Sequence, residues 1–382
     1  MTKVCMVVLN SIWYDPRVRR EATSCVRLGL DTWVVGAKDT EYKQEKVAVL
    51  PFNTVYVEMD ESYTRPNASV FTKIKRTYRL HKGLFESCIS VNPDVIHAND
   101  LNALPAAYLA SKKLGCKVVY DSHEIFTENT SNCNGILRKF VWKSIERFII
   151  KRVDQVISVS NAAASEFVTM YNIEKPMVVT NAACLTDSSQ LKPKTEDKFE
   201  IVCHGKFYKG RGYEAMVRAA KILRDHVGIQ FILRGYGSIE QELRELAASG
   251  PVSDNLRFDP PVDVTELIAA ASASHVGVAI TEPINKNFIF TVSNKLFEYL
   301  NAGLPVIMSD VPEHRYLNEK YRFGVILEEN SPECLAKAVL QLYEDAERYE
   351  ELCSNARKTV EILNWDNEAK KLIDVYLTLA AK

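Results

Sequence analysis

The chain of 382 residues is 47% hydrophobic and 25% charged, an ordinary composition for a globular protein. At ~100–200 residues per domain, this length predicts two domains or one large one. With 48 Lys and Arg against 49 Asp and Glu, the net charge is -1, which argues against nucleic-acid binding through a general electrostatic field. The longest apolar runs, such as Val4–Leu9, fall far short of the ~20 residues that span a bilayer. Because that first run gives way to Asn10 and Asp15, the start does not read as a signal peptide. A collagenous, disordered, membrane-spanning or secreted protein is thereby excluded, and a cytoplasmic one is expected.

Short apolar runs at Val4–Leu9, Thr32–Val35, Val95–His97, Val118–Tyr120 and Val156–Val159 read as buried strands. The stretches Arg17–Leu28, Pro105–Lys113 and Leu137–Lys151 read as helices between them. This alternation predicts an α/β fold with a parallel, doubly wound sheet that binds ligands at the carboxyl ends of its strands. Near Asn181–Lys198 the pattern breaks into Ser, Lys, Pro, Thr and Asp, as in a linker. The alternation then restarts with strand Phe199–Cys203, helix Tyr213–Arg224, strand Gln230–Leu233 and helix Ile239–Ala248. It continues with strand Leu256–Phe258, helix Val264–Ala273, strand Val276–Ile280, helix Asn294–Asn301 and strand Pro305–Met308. The last stretch, Trp365–Leu379, is helical and amphipathic. Two similar halves, 1–185 and 199–364, with a cleft between them are expected, followed by a terminal helix over 365–382.

Nine cysteines, with no C-x-x-C pair, read as reduced, mostly buried thiols, and no zinc-ligand spacing occurs. Charge is uneven along the chain: residues 1–185 carry a net +5 and residues 186–382 a net -6. Lys73, Lys75, Arg76, Arg79 and Lys82 make one basic cluster. A second, from Arg138 to Arg152, interleaves cations with Phe140, Trp142, Phe148 and Ile149. At helical spacing this window suits peripheral contact with an anionic membrane; a solvated helix face packed on a sheet is the alternative.

Three elements carry candidate chemistry. His204-Gly205-Lys206-Phe207-Tyr208-Lys209-Gly210-Arg211-Gly212 directly follows a strand and reads as a strand-to-helix turn. Glycines permit close backbone approach and a helix start offers free amides, so the segment suits a phosphate or diphosphate; a merely solvent-exposed turn is the alternative. It is neither a Walker A loop nor G-x-G-x-x-G. In the second element Ser293 reads as an N-cap, with Asn294 and Lys295 in the first turn and Gly303 as the stop. A cation in a first turn is disfavoured by ~0.3–1 kcal/mol, a penalty a bound anion would reverse. Glu298, one turn later, suits two ribose hydroxyls, unless it simply pairs with Lys295. In the third, His123 and His97 lie at the carboxyl ends of strands, as structural or as catalytic groups. No Asp-x-Asp pair occurs, so no metal is expected; Lys206, Arg211, Lys295 and helix amides would neutralise a diphosphate. Gly235-Tyr236-Gly237 follows a strand but lacks the third glycine of a dinucleotide fingerprint.

Taken in order, these pieces resemble the retaining glycosyltransferases of the GT-B fold, family 4 (group 1). Asp15–Ala22 looks like a first-helix signature of its polysaccharide-building members. His204–Gly212 is similar to the G-R-x-x-x-x-K-G diphosphate motif with Arg and Lys exchanged, and Phe231–Gly237 resembles the L-V-G-x-G turn. Asn294–Tyr299 followed by Ala302–Ile307 is the most specific match, and Trp365 resembles the terminal crossover. The resemblance implies two Rossmann-like domains, the first binding the acceptor and the second the donor. It places Lys206 and Arg211 on the diphosphate, Glu298 on the ribose, and Lys295 with the 292–295 amides on phosphate. Gly205, Gly210, Gly235, Ser293 and Asn294 would line the nucleotide site, and His123 matches a histidine near the transferred sugar. One position departs: Phe290 stands where the E-x7-E motif has its first glutamate, leaving sugar recognition to groups around Phe288–Ser293.

The expected activity is metal-independent, anomer-retaining sugar transfer, with no cofactor beyond the nucleotide-sugar donor, a UDP-sugar being favoured. The acceptor would be a hydroxyl of a growing glycan, lipid-linked if the Arg138–Arg152 face meets the inner face of a membrane. A non-catalytic glycan-assembly subunit, which Phe290 favours, and a nucleotide-sugar 2-epimerase are the alternatives.

Overall fold

The computed structural model describes residues 1–10, 12, 15–38, 50–58, 69–129, 133, 135–250 and 254–381. It divides into two compact units, Met1–Thr180 with Glu368–Lys382, and Asn181–Asn367.

The first unit runs β1 (Lys3–Val8), α1 (Pro16–Arg27), β2 (Asp31–Lys38), β3 (Asn53–Glu58), α2 (Val70–Val91), β4 (Val95–Asn99) and α3 (Asp100–Leu114). It continues with β5 (Lys117–Ser122), α4 (Ile136–Ile149), β6 (Gln155–Ser158), α5 (Asn161–Tyr171) and β7 (Met177–Val178). Its strands form one sheet in the order β3-β2-β1-β4-β5-β6-β7, and every pairing is parallel. β1 and β4 are buried along almost their whole length, as expected of central strands covered by helices on both faces. The order reverses between β1 and β4, which puts a topological switch point at their carboxyl ends.

The second unit begins with β8 (Phe199–Phe207), α6 (Tyr213–Ile222), β9 (Ile229–Gly237), α7 (Glu240–Ala248), β10 (Leu256–Asp259), α8 (Leu267–Ser272) and β11 (Val276–Ala279). Then come α9 (Lys286–Phe290), α10 (Asn294–Asn301), β12 (Val306–Ser309), α11 (Pro312–Tyr321), β13 (Gly324–Leu327), α12 (Pro332–Glu344) and α13 (Ala346–Ile362). The last helix, α14 (Trp365–Ala380), starts in this unit, and its residues from Glu368 onward belong to the first. The second sheet has the order β10-β9-β8-β11-β12-β13, with its switch point between β8 and β11. Alternate residues face opposite layers: Ile201 and Cys203 pack with α6 and α12, and Val202 packs with α10.

The predicted alternation of strands and helices is present in both units, with corrections. β8 does not end at Cys203 but continues to Phe207, so Gly205 and Lys206 are strand residues and the turn is confined to Tyr208–Gly212. Gly235 likewise lies inside β9 and pairs with Gly205. An added Cβ on Gly235 would stand 1.9 Å from the Gly205 carbonyl oxygen, at a φ of +150°. Strand contact, rather than ligand approach, is therefore what demands glycine there. Helix α3 starts at Asp100, with Pro105 inside it instead of at its head. Segment 181–198 packs on the second unit: the Lys192 amide donates to Ser272 Oγ (2.8 Å), and the Thr195 amide to the Ala273 carbonyl (3.1 Å). β3, α2, α5 and β7, absent from the predicted elements, complete the first unit.

Candidate active-site residues

In the second unit the carboxyl ends of β8 and β11 bring together the polar residues singled out in the sequence. The Glu282 amide donates to the Gly210 carbonyl (3.0 Å), tying the turn after β8 to the segment after β11. Gly212, at φ +75°, leaves no room for a side chain, since an added Cβ would meet Ile280 Cβ at 2.4 Å.

Arg211 lies within that tight turn, between Gly210 and Gly212. Its guanidinium lies over the Phe288 ring (4.3 Å) and approaches the Tyr208 ring (5.3 Å), and Nη1 reaches Thr281 Oγ1 at 3.5 Å. Its Nε is buried without a hydrogen-bond partner. Lys206 is exposed, and neither cation has a carboxylate partner among the described residues. Lys209 differs, pairing with Glu242 across solvent at 3.3 Å.

Lys295, in the first turn of α10, turns inward. Its ammonium donates to Tyr213 Oη (2.9 Å), lies 3.4 Å from Cys203 Sγ and sits over the Tyr213 ring at 4.3 Å. Burial lowers its pKa, and Arg211 adds to the effect. Ser293 is the N-cap residue, yet its side chain makes no capping bond, so the first amides of α10 are left to other partners.

Glu298 does not pair with Lys295. Its Oε2 stands 2.8 Å from His204 Nε2, and a carboxylate only accepts, so Nε2 carries the proton. Burial holds the His204 pKa below its ordinary value, against the pull of Glu298, which leaves the ring neutral at pH 7. The His204 backbone is fixed as well, its amide donating to Tyr299 Oη (3.0 Å) and its carbonyl accepting from Tyr213 (3.3 Å). His204 was legible only as the first residue of a motif; its role as the partner of Glu298 was not.

In the first unit, Arg17, which belongs to the first-helix signature, forms a fork onto Asp121 at the end of β5, with Nε–Oδ2 3.0 Å and Nη2–Oδ2 2.9 Å. It also pairs with Glu21 at 2.9 Å. Burial opposes the Arg17 charge, but Asp121 and Glu21 outweigh it. Asp121 stays well below the usual carboxylate range, because Arg17 and His123 outweigh its burial. Burial pushes Glu21 up to about 7. His97 is wholly buried, with Nδ1 2.8 Å from Tyr376 Oη of α14 and Nε2 facing Asp121 at 3.5 Å and Glu21 at 3.6 Å. Glu21, His97 and Asp121 converge as a metal cluster might, but the Arg17 guanidinium already supplies their cation. His97 is thus part of a buried network, whereas His123 is 13% exposed and lies between Asp121 and Asp100.

The Arg138–Arg152 window lies on α4. Glu146 anchors its inner side, accepting from Tyr120 Oη (2.7 Å) and from Tyr171. Ile136, Leu137, Phe140, Val141 and Phe148 are exposed, up to 91% for Ile136. The basic cluster of Lys73–Lys82 lies on α2, where Phe71, Ile74 and Tyr78 are exposed as well. Both helices pack against α3. Among the described residues, no helix is long and apolar enough to cross a membrane.

Two parallel-sheet α/β units with cations and a carboxylate at the switch point of the second define a glycosyltransferase of the GT-B class. Two family descriptions match the sequence: Glycosyltransferase Family 4 over residues 17–183 and Glycosyl transferases group 1 over residues 198–345. The chain belongs to this group 1, family 4 glycosyltransferase family. An uncharacterized glycosyltransferase of Methanocaldococcus jannaschii is 22% identical over 353 residues, 89% of this chain and 86% of that one. Sucrose-phosphate synthase from Thermosynechococcus elongatus superposes with a TM-score of 0.79 at 16% identity, covering 100% of both chains. Anabaena HepE, solved with UDP, gives a TM-score of 0.75 at 15% identity, covering 99% of this chain and 100% of that one.

Proposed function

We propose that this glycosyltransferase moves a sugar from a UDP-sugar to a hydroxyl of a growing cell-envelope glycan, with retention of anomeric configuration and without a metal. The observation that carries this reading is the pair of cations brought together in the second unit with no ion-pair partner among the described residues: Arg211 with its buried, unpartnered Nε, and Lys295 held by a phenol and a thiol, while Lys206 stands exposed near the end of β8. A diphosphate leaving group needs such placed positive charge, and these side chains would supply what a divalent ion supplies elsewhere. The uncapped start of α10 adds its amides. Glu298, fixed through Oε2 by His204, keeps Oε1 for the ribose hydroxyls. His123 serves the transferred sugar, and the aromatic wall at Phe288 supports a role for that segment in sugar contact despite Phe290.

A lipid-linked acceptor fits the exposed apolar and basic faces of α2 and α4. A solvated helix face would be polar, whereas Phe140, Ile136 and Leu137 stand in water beside cations. Such helices bind anionic bilayers through buried apolar area and charge, which supports peripheral action at the inner face of a membrane. HepE was solved in complex with UDP, and the same nucleotide is the first ligand to try here.

The test is thermal unfolding of the full chain with UDP, GDP, ADP or CMP, each with and without EDTA. A ligand binding only the folded state at ~100 times its Kd adds ~2.7 kcal/mol. A shift with UDP that EDTA leaves unchanged is expected. A shift that EDTA abolishes would overturn metal independence, and none from any nucleotide would overturn the donor site.

A further inference from the structure

The carboxyl ends of β4 and β5 carry two acidic side chains to which the reading above gives no task, and both face His123. Asp121 Oδ2 stands 3.2 Å from His123 Nε2, and Asp100 Oδ2 stands 3.4 Å from His123 Nδ1. Asp100 Oδ1 also accepts from the His123 backbone amide at 2.9 Å. Asp100 heads α3 with a φ of +63°, a left-handed backbone that a residue bearing a Cβ adopts only where its surroundings demand it. Asp121 is immobilised in turn by the fork from Arg17.

A neutral imidazole carries a proton on one nitrogen and a lone pair on the other. With a carboxylate opposite each nitrogen, the neutral ring would always aim a lone pair at negative charge. Only the imidazolium is drawn to both carboxylates; the buried Nε2 makes no hydrogen bond, so the attraction is one between charges.

We propose that Asp100 and Asp121 are positioning residues that clamp the His123 ring from its two sides, making it a fixed cation beside the transferred sugar and not a general base. The proposal rests on the sugar-site reading of His123. Burial opposes charge on that ring, but the two aspartates outweigh it and push the pKa up to about 10. Burial raises the Asp100 carboxyl from its ordinary value, Asp15 adds to that, and His123 pulls it back down; the other charged groups around the clamp are Arg17 and Glu21 of α1 and His97 of β4. A ring that stays protonated has no lone pair to spare, so it accepts no proton from the acceptor hydroxyl.

The test uses the full chain labelled at histidine Cε1, with the His123 resonance assigned by its loss in His123→Gln. The wild-type signal should hold the imidazolium position through pH 8.5. Asp100→Asn, which keeps the shape and tolerates a left-handed backbone, should lower its midpoint by at least one pH unit. The alkaline limb of the kcat profile should move by a similar amount. Asp100→Gly, free of backbone strain, serves if the first variant fails to fold. An ordinary midpoint in the wild type, or one that neither Asp100 variant moves, overturns the clamp. Full transfer by His123→Gln with an unchanged clamp would instead overturn the sugar-site reading alone.

Discussion

His204 Nε2 and Glu298 Oε2 lie 2.8 Å apart although 94 residues separate them, and the neutral, buried ring acts as a fixed donor to the carboxylate. Replacing His204 with Ala should free Glu298 and weaken UDP binding by ~10-fold, about the worth of one hydrogen bond to a charged group. His204→Gln, which retains a donor, should recover most of the affinity. Calorimetric titration of the three proteins decides it; equal affinities would remove Glu298 from the nucleotide site.

Arg211 is held by a 3.5 Å contact and an aromatic wall, with no ion pair among the described residues. Arg211→Ala should therefore change stability by less than ~1 kcal/mol, yet lower kcat by ~10²–10³, as when a group that stabilises a transition-state charge is removed. Turnover of the variant against its urea midpoint separates the two effects, and near-normal turnover would exclude Arg211 from the leaving-group site.

Gly235→Ala places a methyl group within 1.9 Å of the Gly205 carbonyl. Neither strand yields without breaking its pairing, so a loss above ~3 kcal/mol and poor soluble yield are expected. Gly250→Ala, also at positive φ but with open space around it, should cost much less. Similar yields of the two variants would contradict the paired path of β8 and β9.

The buried ionisable groups of the first unit set a direction for pH. Burial raises Glu21 and Glu146 to about 7 from 4.5, so the folded chain binds more protons than the unfolded one between those values, and stability falls as pH rises through them. His123, raised to about 10, contributes stability that is full below 6.5 and is lost on the way to 10. Asp121, lowered by Arg17, costs stability only in strong acid. Below pH 6.5 the buried His275 and His314, lowered to about 4, oppose the two glutamates, so the unfolding free energy from urea titrations should decline chiefly from pH 6.5 to pH 9, by on the order of a few kcal/mol. Asp100→Asn should flatten the upper part of that decline. A flat or rising profile would contradict these assignments.

For the α2 and α4 faces, sedimentation with vesicles should show binding to anionic but not to zwitterionic bilayers, and loss of binding in high salt. Phe140→Glu combined with Ile74→Glu should reduce the bound fraction at least ~10-fold, on the scale of ~2–3 kcal/mol per buried apolar side chain. Unchanged binding would exclude these helices as the contact.

Central strands were readable because they are buried on both faces and appear as continuous apolar runs, as in β1 and β4. β3 was not, because it lies at the sheet edge and none of its residues is more than partly buried. Lys206 and Arg211 could be named from their motif, but the continuation of β8 to Phe207 depends on pairing with β9, a contact between distant segments. Asp100 and Asp121 sat beside recognised histidines and were passed over: their meaning lies in facing a single ring, which three-dimensional placement alone reveals.

The division of the chain has a consequence for its synthesis. The first unit is built from residues 1–180 together with 368–382, and the second from the residues between. During translation the first sheet emerges early, but Tyr376, which caps the buried His97 Nδ1, arrives only after the whole second unit. The first unit is thus interrupted by the second and is completed only by a segment that follows it, the part of α14 from Glu368 onward, which supplies the partner of His97 Nδ1.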